Sequence, residues 1–219
     1  MSAEIIMELV LTVITGAAFV WGDYKFFKKG VALYLQMVTL AIGCVFLARI
    51  FETIQVYRDG EVPFISIALF GIVAEFLFFF CANFGVIDSL CDDGSVRFLK
   101  YRLAAAIVPV ALFVFFIFRY KSFSAEDELA WVIYIPVTVI LLAMYYHIKH
   151  LIIPDVPNGI VRCIRLYNLI GIINCLTTLT EILTDVGDVY WYVSLSLCCI
   201  STVIMLPVLS RGVRRWVLK

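Results

Sequence analysis

Ionisable and amide side chains set inside long apolar runs are where this chain could do chemistry, because lipid cannot solvate them and each needs a partner or a purpose. Glu75 is the clearest, lying near the middle of the apolar run 62–90. A carboxyl at that depth must be protonated, paired or in contact with water. Arg49, Gln36, Asn83 and Asn174, on or beside other apolar runs, are its candidate partners. A hydrogen bond between helices and a proton-coupled role both remain open.

Arg49 and Glu52 are three apart, a spacing that lets them pair on one helix face. Asn174, Thr178 and Glu181 recur at i, i+4 and i+7, which draws a polar stripe along one side of another helix. If these helices converge, Arg49, Glu52, Glu75, Asn174 and Glu181 line one ligand-binding cavity. That is the sharpest site expectation, and it names no catalytic residue.

Other reactive types group less tightly. His147 and His150 share a helix face, with Asp155 and Cys163 near in sequence. Two histidines one turn apart do not make a coordination set, so no metal and no cofactor is expected. The seven cysteines, at 44, 81, 91, 163, 175, 198 and 199, fall within apolar runs or near their ends and read as reduced packing residues. The segment Asp88-Ser-Leu-Cys-Asp-Asp-Gly-Ser-Val-Arg97 resembles the start of the CDP-alcohol phosphotransferase signature, in which paired aspartates, Gly and Arg surround a metal-bound nucleotide. Arg97 stands one position early, however, and no downstream Gly-Asp-Asp follows. Asp92 and Asp93 are therefore expected to form a solvated turn. No Walker loop, His-Glu-x-x-His or Gly-x-Ser-x-Gly motif occurs.

The elements that must position these residues follow from composition. Of 219 residues, 63% are hydrophobic and 16% charged, and the mean hydropathy is +1.03. That excludes a water-soluble globule. A crossing needs about 20 apolar residues, and seven runs qualify: 5–21, 31–56, 62–90, 103–118, 129–148, 160–183 and 189–210. They are apolar on every face, so the fold class is all-α, a polytopic membrane protein with a single seven-transmembrane-helix bundle rather than a barrel. Gly22, Gly30, Gly60, Gly94, Gly159, Gly187 and Gly212 fall in or beside the breaks. Ser124 to Asp127 has capping-box spacing, and Asn158 and Asp188 stand where N-caps would be. The first run has an acid and no Lys or Arg before it, so it reads as a retained helix rather than a secretory signal.

Thirteen of the seventeen Lys and Arg residues fall on one side of the runs, four (Arg49, Arg58, Arg119 and Lys121) on the other, and eleven acids share the side of those four. The positive-inside rule then expects the N-terminus outside, the C-terminus cytoplasmic and the protein in the cell membrane. Trp21 and Trp216 on one side and Trp131 and Trp191 on the other suit two interfacial belts. The run 189–210 holds no lysine for a retinal Schiff base. The layout is similar to the seven-helix sensory input domains of bacteria in topology alone. The expectation is a receptor-like or sensor-like module. Its partners would be the lipid bilayer, a small or lipid-like ligand from the outer side and a cytoplasmic signalling protein, with no nucleic acid. A small-solute or proton-coupled transporter, and an enzyme acting on lipid headgroups through Asp88, Asp92 and Asp93, are the rivals.

Overall fold

The computed structural model describes residues 3–60, 66–120, 130–154 and 159–217, and every regular element among them is helical. Seven helices are long and apolar enough to cross a bilayer: α1 (Ala3–Phe26), α2 (Leu33–Asp59), α3 (Ala68–Cys91), α4 (Val96–Tyr120), α5 (Tyr134–Ile152), α6 (Val161–Leu183) and α7 (Val189–Val217). Large apolar side chains remain exposed along their outer faces, among them Val13, Val20, Leu47, Phe70, Ile107 and Ile200. Such continuous apolar surface suits hydrocarbon, not water, and the chain is a multi-pass membrane protein.

Helices α1, α4 and α7 reach beyond the apolar runs that announce them, and α6 closely matches its own. α7 continues to Val217, and its 29 residues span about 43 Å at 1.5 Å per residue, more than a hydrocarbon core is thick. Of the seven glycines expected as punctuation, Gly30, Gly60, Gly94 and Gly187 have positive φ between helices. Gly22 and Gly212 lie inside α1 and α7 instead. At Gly212 the reason is a close approach, since a Cβ there would run into the backbone carbonyl of Cys163 at the start of α6. Gly212→Ala should part α7 from α6 and cost about 1–3 kcal/mol, the range for overpacking. The readout is the thermal midpoint in detergent. Gly85→Ala, which meets open space, should leave it nearly unchanged.

Six helices close a ring in the order α1, α2, α3, α5, α6, α7, while α4 packs mainly on the outside of α5. Accordingly only Ala105, Pro109, Phe116 and Tyr120 are buried on the regular part of α4. Lipid tails are as apolar as the helices, so the ring is held by close packing and hydrogen bonds between its helices. Its centre is filled by Val38, Ile42, Phe76, Phe79, Ile140 and Met144. Thr15, Thr39, Thr177 and Thr178 donate to carbonyls three or four residues back, which satisfies hydroxyls that lipid could not.

One end of the bundle, the acidic end, holds Glu4, Glu8, Glu52, Glu181 and Asp185, and the other, the basic end, holds Arg97, Lys100 and Arg102 at the start of α4 and Arg214 and Arg215 in the last turn of α7. Trp191, expected in an interfacial belt, is instead buried against Leu11, Leu195 and Cys199 where α7 meets α1. Asp188 takes the N-cap position of α7, its backbone carbonyl accepting the Tyr192 N–H at 3.1 Å. The capping segment at 124–127, Asn158, Asp155, Lys121 and the side chain of Trp131 lie outside the described residues. All seven cysteines are free thiols.

Candidate functional site

Arg49 in α2 is the hub of the acidic end. Its Nη1 donates to Glu52 Oε2 at 2.7 Å and to Glu181 Oε1 at 2.6 Å, while Nη2 donates to Glu181 Oε2 at 2.8 Å. The Arg49–Glu181 pair is thus a two-pronged fork, the strongest geometry a carboxylate offers a guanidinium. Glu8 of α1 stands 3.7 Å from Nη1, beyond hydrogen-bond length. Arg49 is 2% and Glu8 1% exposed. A buried guanidinium is tolerated only because carboxylates from α2 and α6 replace its water.

Glu75 lies beneath this hub. Its Oε1 accepts from Asn174 Nδ2 at 3.0 Å, so of the partners proposed for it Asn174 is the one that bonds. Asn174 Oδ1 in turn accepts from Ser201 Oγ at 2.8 Å and Cys198 Sγ at 3.5 Å. This polar layer joins α3, α6 and α7. Gln36 donates to the Phe26 carbonyl, and Asn83 lies lower still.

The five residues expected in one cavity therefore form two stacked layers. Glu52 and Glu181 border an open cleft of about 300 Å³ at the acidic end, together with Glu8, Arg119, Tyr120, Asp185 and Trp191. Arg49 holds that wall from behind, and Glu75 and Asn174 sit below it. Glu8 was legible only as one acid among the eleven on its side. The usable signal was its place within the run 5–21, the same criterion that singles out Glu75.

A second polar centre lies toward the basic end. Asn168 Nδ2 donates to the Ile164 carbonyl at 3.2 Å, which leaves its Oδ1 facing His147 Nδ1 at 3.1 Å. Asn83 Nδ2 donates to the Phe79 carbonyl and points at His147 Nε2, 3.4 Å away. The two amides so oriented make Nδ1 the donor and Nε2 the acceptor. Asn83 opens a π-helical turn, Asn83–Ile87, inside α3; such insertions are often found at functional sites. The His147 ring covers Gly171, where any Cβ would collide with the imidazole.

One turn further, Lys149 Nζ donates to Asp88 at 2.5 Å and pairs with Asp92 at 2.8 Å, while His150 Nε2 reaches Asp88 at 3.0 Å. Arg102 grips Asp92 through Nε at 2.7 Å and Nη2 at 2.5 Å. Asp92 is therefore no solvated turn residue, because cations from α4 and α5 close over it. Hydrogen bonds from Arg102 and then Lys149 and Gly94 hold its carboxyl well below the usual carboxylate range. Asp93 fits the expected turn, its Oδ1 accepting the Ser95 N–H at 2.9 Å. Among the described residues no group of three or more His, Cys, Asp or Glu is placed to hold a metal ion.

Comparison with family models, curated proteins and solved structures finds no match.

Proposed function

We propose that the protein is a sensor-like module of the cell membrane. It binds a small ligand in the cleft at the acidic end, outside the cell, and signals through the basic end to a cytoplasmic partner. The observation that carries this reading is the Arg49 hub. The cleft wall is made of the same carboxylates that tie α1, α2 and α6 together. A ligand engaging Glu8, Glu52 or Glu181 competes for those ties, and the helices it loosens run on to the basic end. The excess of Lys and Arg there supports a cytoplasmic placement.

A sensor is favoured over a conduit by what lies between the two polar centres. Phe76 and Phe79 of α3 and Ile140 and Met144 of α5 are all buried between the Glu75–Asn174 layer and His147. The six to eight residues separating the layers along α6 and α3 amount to roughly 9–12 Å at 1.5 Å each. Phe76 and Phe79 meet edge to face at 5.8 Å, and Phe79 lies 6.2 Å from His147. These packed aromatic and aliphatic side chains can pass on a shift in packing, but they themselves offer a solute or proton no hydrogen-bonding group.

The test uses a native reporter. Cys163 is partly exposed at the basic end, beside the α6–α7 crossing. Glu181→Gln, which weakens the fork at the opposite end of α6, should change the rate of maleimide labelling at Cys163 several-fold, as read by mass spectrometry. An unchanged rate in a folded variant would count against communication between the ends.

A further inference from the structure

We propose that the cleft at the acidic end binds a small organic cation, an ammonium group on a compact apolar body, with the ammonium seated against Glu8. The proposal rests on the reading of the cleft as a ligand site and names the ligand's chemistry.

Glu8 carries it. This carboxyl is 1% exposed and borders the cleft, and among the described residues its Oε2 has no hydrogen-bond partner. Its other oxygen has only the 3.7 Å approach to Arg49. Leaving a buried carboxylate oxygen without a donor is costly, and the nearby guanidinium is already committed to Glu52 and Glu181. The missing partner is an N–H donor arriving from the cleft.

The rest of the lining fits a cation better than an anion or a metal. Glu52, Glu181 and Asp185 join Glu8 on the walls, against Arg119 as the cation bordering the cleft among the described residues. An anionic ligand would face four carboxyls. Glu8, Glu52 and Glu181 do not converge as a metal-holding group, whereas an ammonium needs only hydrogen-bond acceptors and a shaped neighbour. Leu69, Ile72, Ile133 and Val186 supply apolar wall, and Trp191 and Tyr120 add aromatic surface, which attracts cations. A volume of about 300 Å³ lies at the small end of ligand pockets.

The experiment uses the full chain purified in detergent and three probes with one carbon skeleton: cyclohexylammonium, cyclohexanol and cyclohexanecarboxylate. Cyclohexylammonium should raise the thermal midpoint saturably at millimolar concentration, with no comparable effect from the other two. Glu8→Gln should weaken its apparent affinity by about tenfold or more, equivalent to about 1.4 kcal/mol. Glu8→Asp, which keeps the charge but withdraws it by one methylene, should weaken binding less and serves if the amide variant does not fold. Equal binding to wild type and both variants overturns the assignment to Glu8. Saturable binding of the carboxylate instead overturns the cationic ligand but leaves the cleft as a ligand site. Binding of none of the three overturns both readings. A matching saturable shift with calcium chloride that the ammonium cannot displace reassigns the site to a metal ion and also overturns the proposal.

Discussion

Arg49→Ala is expected to be the most damaging single change in the protein, lowering its stability by about 3–5 kcal/mol, the range seen when one partner of a buried ion pair is removed. Three carboxyls, Glu8, Glu52 and Glu181, would then face one another with no cation, and the α2–α6 fork at 2.6 and 2.8 Å would be gone. Arg49→Lys keeps the charge but not the two-pronged geometry, so it should fall between wild type and alanine. Adding Glu52→Gln and Glu181→Gln to Arg49→Ala should recover part of the loss, since the damage comes from uncompensated carboxylates more than from a missing contact. Thermal unfolding in detergent measures all three. A triple variant no better than Arg49→Ala would show that shape, not charge, dominates at this position.

Lys149→Met should be the second largest. Its ammonium holds Asp88 and Asp92 together and is itself almost wholly buried, and methionine replaces its length without its charge. Asp88 keeps His150 and Asp92 keeps Arg102, so the loss should lie at the lower end of about 3–5 kcal/mol. Acid unfolding gives an independent reading. The folded pKa of Asp92 is depressed, so its contribution is present above the unfolded value of about 3.9 and fades as pH falls below that toward the folded one. In Lys149→Met that acid-sensitive component should shrink. An unchanged acid profile would mean that Arg102 alone holds Asp92.

The parts of this site that the sequence disclosed are those written in local spacing. Arg49 and Glu52 are three apart, and Asn174 and Glu181 share a helix face, so their pairing or common stripe could be read directly. The seven spans were legible from hydropathy because lipid imposes a length on each. Asp92 was not legible, since its cations come from Arg102, ten residues on, and from Lys149, two helices later in the chain, and no local pattern carries contacts of that range. Trp191 misled for a related reason: an amphipathic ring near a helix end suits a lipid interface and a helix seam equally, and only the packing of α7 on α1 decides. Glu8 was counted with the acids of its side because sequence gives distance along a helix but not which face turns inward.

The ring also has a consequence for the order of synthesis. Its closing seam joins α1 to α7, through Leu11 against Trp191 and Leu195 and through Tyr192 donating to Glu4 at 3.0 Å. α1 leaves the ribosome first and α7 only after the five helices between them. Helices inserted earlier can pair with their neighbours at once, but this contact must wait for the whole intervening chain. Until then the buried acid of α1 lacks its wall of α7 side chains. A nascent chain arrested before α7 would therefore be a natural substrate for whatever in the membrane guards half-built bundles.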